Sequence, residues 1–207
     1  MNYRRLSTSG FTLVELLVVI VIIGILAGIT FTGADYLLGA QDEKQAKSHI
    51  EALSLALNQF KSETGEYPRT SSISNQEDVF KCGEFLLLSL YGVIDRDGET
   101  LDVDERKKSF LPGDSLIFGK NSGNRNDIFV PEEEDWLPNS GDSFFAMDPW
   151  NEPYIYQFPR NDGHHGFLLF SKGPDGQASV FDQELTSTPK MDVIDEDNIP
   201  SSEPGKW

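Results

Sequence analysis

Residues 10–31 read GFTLVELLVVIVIIGILAGITF, and the rest of the chain follows from how this stretch is read. From Leu16 to Phe31 it carries no charged side chain. Counted from Phe11, the apolar run is roughly 20 residues, about 30 Å of helix at ~1.5 Å per residue, enough to cross the hydrocarbon core of a bilayer. Ahead of it, MNYRRLSTS brings Arg4 and Arg5, and positive residues beside an apolar span favour keeping that end on the cytoplasmic side. Glu15 is the exception inside the run. An ionised side chain at the centre of a bilayer costs roughly 2.5–3.5 kcal/mol on insertion scales, and less near the interface, so Glu15 is expected to have a partner. If the chain is cut after Gly10, Phe11 carries a new α-ammonium and Glu15 stands one helical turn away. Its carboxylate then compensates either its own terminus or that of a neighbouring copy.

Composition narrows the rest. The 207 residues hold 34 acidic and 17 basic side chains, a net charge of −17, which argues against a nucleic-acid partner because phosphate neutralisation needs clustered Lys and Arg. Cys82, the single cysteine, permits neither an internal disulfide nor a zinc-thiolate cluster. No nucleophile elbow and no phosphate-binding glycine loop is present. His164 and His165 fall in a glycine-containing connection where exposed polar residues are expected, so the chain reads as a non-enzyme. A secretory signal peptide with Thr32-Gly33-Ala34 as its cleavage site accounts for the basic start and the apolar run, but not for an acid near the start of that run.

Beyond the apolar run, Ala46, Ile50, Leu53, Leu57 and Phe60 recur at spacings of four and three, an amphipathic helical stripe, with Glu43 and Lys47 as an i,i+4 pair on the polar face. Gly65 and Pro68 supply stop signals. The spacing predicts one helix from Phe11 to about Ser62, roughly 75 Å long, whose second half packs on a sheet and whose first half lacks a partner within the chain. His49 reads as a partly solvated surface residue of this helix. Cys82–Tyr91 reads as a short second helix in which Cys82 is a small buried apolar residue. Residues 95–142, rich in charge, Gly, Asn and Pro, read as an insertion of solvated loops with one short strand near Ile128–Val130. Ile155–Phe158 and Gly166–Ser171 read as an antiparallel hairpin whose aromatic face covers the amphipathic half of the long helix.

The sequence Gly10-Phe11-Thr12-Leu13-Val14-Glu15 before an apolar helix resembles the cleavage and methylation signal of type IV prepilins and type II secretion pseudopilins. The resemblance implies an α+β, type IV pilin-like fold: a long N-terminal helix packed on a small antiparallel sheet head with extended loops. It divides the chain into a leader, 1–10, a stalk helix, 11–62, transmembrane over 11–31, and a head, 63–207. It implies cleavage between Gly10 and Phe11 by a prepilin peptidase, N-methylation of Phe11, and a role for Glu15 in docking an incoming subunit. Thr64-Gly65-Glu66-Tyr67-Pro68, Asp148-Pro149-Trp150-Asn151-Glu152-Pro153-Tyr154 and Ser171-Lys172-Gly173-Pro174-Asp175-Gly176-Gln177 resemble, in order, the head of the major pseudopilin, protein G type. Asn151 stands where that family commonly has glycine, and Asn tolerates a left-handed conformation well.

The implied function is a structural subunit polymerised into a periplasmic filament that drives protein secretion. Its implied partners are its own copies, minor pseudopilins, the prepilin peptidase and an inner-membrane assembly platform. The implied location is the inner membrane, crossed once, with the amino end cytoplasmic and the head periplasmic. The alternatives are a type IV pilus pilin or minor pseudopilin, and a membrane-anchored binding module that does not polymerise. Major pseudopilins hold calcium in the loop after the last strand. Here Asp175, Asp182 and Glu184 with the backbone carbonyl of Lys172 supply hard oxygen donors that suit Ca²⁺. Asp192 and Asp195 are substitutes within that set, and an Asp-Gly turn without metal is the other reading.

Overall fold

The computed structural model describes residues 11–102, 109–111, 116–121, 126–131, 136, 144–160, 165–178 and 198–199, the side chains of residues 29–38, 121 and 126 excepted. It is α+β. The chain divides into two compact units, residues 1–41 and 42–207.

Helix α1 runs over Leu13–Thr64, close to the 11–62 expected. In the first unit its residues Leu16 to Leu26 are apolar on every side, and each of the large ones is 48–59% exposed. Gly24 and Gly28 face open space. Among the described residues no helix is long and apolar enough to cross a membrane. The last side chains of the expected span, 29–31, lie outside the described ones.

In the second unit the same helix is amphipathic. Ala46, Leu53, Ala56, Leu57 and Phe60 are all buried, while Glu43 and Lys47 form their i,i+4 pair on the exposed side. His49 is a correction: it is buried, its Nδ1 lying 3.0 Å from the Tyr154 hydroxyl. It falls three residues after Ala46 and four before Leu53, so it belongs to the stripe and not to the polar face. Burial lowers its pKa by penalising the imidazolium. The helix ends where Gly65, at φ +89, donates its N–H to the Lys61 carbonyl at 2.8 Å, a left-handed cap that glycine adopts without strain. Tyr67 then packs edge-on against Phe158 and Phe167.

Helix α2, Gln76–Leu90, begins six residues earlier than expected. Asn75 caps it by accepting the Asp78 N–H at 3.0 Å, so the polar Gln76, Glu77 and Asp78 form its first turn, where acids favour the helix dipole. Cys82 is buried, as expected, and burial raises the pKa of its thiol.

Among the described residues five strands follow: β1 Ile117–Asn121, β2 Asn126–Phe129, β3 Phe144–Met147, β4 Ile155–Gln157 and β5 Leu168–Phe170. They form two antiparallel sheets, β2-β1-β3 and β4-β5, instead of one. The expected hairpin is present as β4 and β5, with Tyr156 opposite Leu169. The segment 95–142 carries the strand expected near Ile128–Val130 as β2, and also β1, where only loops were expected. β1 pairs Phe118 with Phe129 on one side and with Ala146 of β3 on the other, and Phe118, Phe129 and Trp136 pack against the main core. That core joins Leu53, Leu57 and Phe60 of α1 to Leu86, Leu87 and Leu90 of α2, Phe144 of β3 and Tyr156 and Leu169 of the hairpin.

Candidate functional site

Two places carry the residues that the sequence singles out. The first is the start of α1. Gly10 lies outside the described residues, and Phe11 is exposed. Thr12 and Glu15 form a reciprocal cap. Glu15 Oε2 accepts the Thr12 backbone N–H and the Thr12 hydroxyl, both at 2.8 Å, and the Glu15 N–H donates to Thr12 Oγ1 at 3.3 Å. The pattern Thr-x-x-Glu is that of a capping box, which satisfies two amide donors at a helix start that have no partner within the helix. Sequence reading saw the acid but missed the box, although Thr12 three residues before Glu15 signals it. The carboxylate is thereby held against Thr12 at the start of the helix, where the helix dipole favours negative charge.

The second place is the head, where two separated sequence elements meet. In the turn after β3, Asp148 is buried and its Oδ1 accepts the N–H of Trp150 at 3.0 Å and of Glu152 at 2.9 Å. The Asp148 N–H donates to the Glu152 carbonyl at 2.8 Å, and Asn151 takes φ +68, the left-handed state expected of it. Asp148 Oδ2 accepts the hydroxyl of Ser171, the first residue after β5. Burial raises the Asp148 pKa, against the lowering by the Ser171 hydroxyl and the two amides. A second tie lies beside it: the buried Lys172 ammonium reaches Glu152 Oε2 at 3.0 Å and Gln76 Oε1 at 3.4 Å.

Of the expected calcium ligands, Lys172 is buried and Asp175 is exposed. Pro174 and Asp175 sit inside a turn closed by the Gly176 N–H on the Gly173 carbonyl at 3.3 Å, and Asp175 Oδ1 accepts the Gln177 N–H at 2.7 Å. Asp182, Glu184, Asp192 and Asp195 lie outside the described residues, and no cluster of three metal-binding side chains occurs among the described residues. His165 is exposed and His164 is outside the described residues.

Comparison with known proteins agrees with this layout. Residues 5–31 match the prokaryotic N-terminal methylation motif, and residues 131–187 match type II secretion system (T2SS), protein G. The type II secretion system core protein G of Aeromonas hydrophila is 44% identical over 183 residues, 88% of this chain and 92% of that one. Its namesake from Pectobacterium carotovorum subsp. carotovorum is 39% identical over 182 residues, 87% and 83% of the two chains. That of Pseudomonas aeruginosa is 26% identical over 184 residues, 87% and 94%. No solved structure matches the chain. With a methylation motif ahead of a long helix, a head whose two signature turns meet at Asp148, and relatives matched along nearly their whole length, the chain belongs to the type II secretion system protein G family and is a structural pseudopilin.

Proposed function

We propose that this pseudopilin crosses the inner membrane once through residues 11–31, amino end in the cytoplasm and head in the periplasm. A prepilin peptidase cuts between Gly10 and Phe11 and methylates the Phe11 nitrogen. The processed subunit then joins copies of itself and minor pseudopilins on an inner-membrane assembly platform, and growth of the filament drives secretion. The observation that carries this reading is the apolar surface of α1 from Leu16 to Leu26, uncovered on every side among the described residues. Such a surface belongs in lipid or against other helices of its kind. Glu15 meets the Phe11 ammonium of a neighbouring subunit there. The capping box supports this role because it restrains the carboxylate before the partner arrives and so lowers the entropy lost on docking. Glu15→Gln separates charge from capping, since an amide oxygen also closes a capping box. Membrane insertion is expected to survive while filament assembly is lost. Filaments at wild-type levels would overturn the charge role.

The head reading adds Ca²⁺ in the loop after β5, held by Asp175, Asp182, Glu184 and the Lys172 carbonyl. What supports this is the chemistry of the donors, carboxylate and carbonyl oxygens that suit a hard cation, and the turn that carries Asp175, bracketed by Gly173 and Gly176, both at positive φ. Calcium there would neutralise clustered acids and pin the carboxyl-terminal segment to the hairpin.

A further inference from the structure

We propose that a second copy of this chain docks on the apolar groove beside β2, with Leu55 of α1 as the side chain that enters it, a contact that rests on the reading above that copies polymerise. Among the described residues of the second unit, the exposed large apolar side chains are Leu55 at 61%, Ile128 at 71% and Val130 at 79%. Ile128 and Val130 belong to a groove of about 510 Å³ whose other walls include Tyr91, Phe118, Phe129 and Trp136. Trp136 lies against Tyr91 with ring centroids 4.0 Å apart and meets Phe118 edge-on. The sheet order β2-β1-β3 leaves β2 without a strand on its outer side among the described residues. No charged side chain lines the groove, whereas sites for small molecules carry a few polar groups that orient the ligand. An apolar side chain from another protein suits this lining.

The chain's own Leu55 cannot reach this groove. Tyr91, Phe118, Phe129 and Trp136 pack against the core that holds Leu53 and Leu57. Leu55 is two residues from each of those leucines, roughly 200° round the helix, and so faces away from the core. Filling the groove with Leu55 therefore takes a second copy. Side chain and groove are different surfaces of one chain, so the contact is heterologous. Each copy offers its own groove to the next, and contacts of this kind run on as an open filament unless the rotation closes a ring. Charge agrees with the pairing. Glu51, one turn before Leu55, is exposed, and from Glu51 to Gln59 the helix carries no basic residue. At the groove the Lys120 ammonium stands 5.6 Å from the Phe129 ring centroid, with Asp127 opposite Lys120 in the strand register. Glu51 of the incoming copy has the sign that meets Lys120.

The test is oxidative thiol cross-linking of the full chain in native membranes, where Cys82, the only cysteine, is buried. Chains carrying Leu55→Cys and chains carrying Val130→Cys are expressed together, and each is also expressed alone. Disulfide-linked dimers are expected from the mixture and are lost when either variant is alone. Leu55→Glu is expected to reduce assembly, read as loss of the dimers that Ile20→Cys forms between stalks, with the melting temperature of the head unchanged because Leu55 is exposed. A lower melting temperature would place Leu55 in the packing of its own head and overturn the docking role. If Ile20→Cys chains form dimers while the mixture does not, or if Leu55→Cys alone dimerises as well as the mixture, the docking is overturned and polymerisation stands. Capture of a different protein by Val130→Cys in place of the Leu55→Cys chain also overturns it. If Ile20→Cys gives no dimers either, polymerisation fails and takes this inference with it.

Discussion

The two halves of α1 share a backbone conformation and differ in how their side chains are covered. Between Leu16 and Leu26 each large apolar side chain is about half exposed, whereas Leu53, Leu57 and Phe60 are at most 2% exposed. The difference was written into the order of residues. The first half is apolar all round, so no single stripe can face a core, and its burial requires lipid or several neighbouring helices. The second half confines its apolar residues to positions three and four apart, a stripe that α2 and the two small sheets cover. Folding of the head therefore uses half of the helix and leaves the other half for assembly.

Truncating one side chain in each half is expected to have opposite effects. Phe60→Ala removes a ring from the core beside Phe110 and is expected to destabilise the head by about 3–5 kcal/mol. Ile20→Ala is expected to leave the melting of the head unchanged in detergent while impairing assembly. Thermal unfolding of both variants checks the pair, and a large shift from Ile20→Ala would show that the first half also supports the head.

A smaller loss is expected at the buried turn of the head. Asp148→Ala leaves the Trp150 and Glu152 amides and the Ser171 hydroxyl without their acceptor in a buried turn, a loss of about 3 kcal/mol, measured by denaturant unfolding.

The smallest effect is pH-dependent. Unfolded histidine takes its proton near pH 6.5, and buried His49 takes it only at lower pH. Between those values the unfolded chain binds more protons, so stability falls as pH falls through that window. Asp148 works in the opposite sense: its folded pKa is raised, so its contribution falls as pH rises from the ordinary carboxylate range. His49→Phe is expected to flatten the acid-side loss of melting temperature relative to wild type. An unchanged slope would remove His49 as its source.

Much of this was legible in sequence because it depends on local pattern. The stripe of α1, its stop at Gly65 and the β4-β5 hairpin follow from periodicity or turn chemistry, and the left-handed Asn151 follows from the resemblance, which has glycine there. Strand β3 was not legible, because Phe144, Phe145, Ala146 and Met147 are all buried and a strand buried on both faces shows no alternation. Strand β1 was hidden by Gly119 and Lys120 in a charged segment, although Gly119 is where Met147 and Phe145 crowd closest to the backbone. The meeting of Asp148 with Ser171 is a contact between distant residues, which no local pattern encodes. At the amino end, Gly10, Phe11 and Glu15 stood out from the sequence, while the bond from Thr12 to Glu15 needed coordinates to be noticed.

The bare half of α1 is expected to be covered by the same half of other copies. Cys82 is the only cysteine and is buried, so a cysteine introduced at Ile20 is the one reactive thiol on the stalk. Oxidative cross-linking of Ile20→Cys in native membranes is expected to yield disulfide-linked dimers that disappear when Glu15→Val is added. Absence of dimers from Ile20→Cys, with the protein inserted and processed, would contradict the claim.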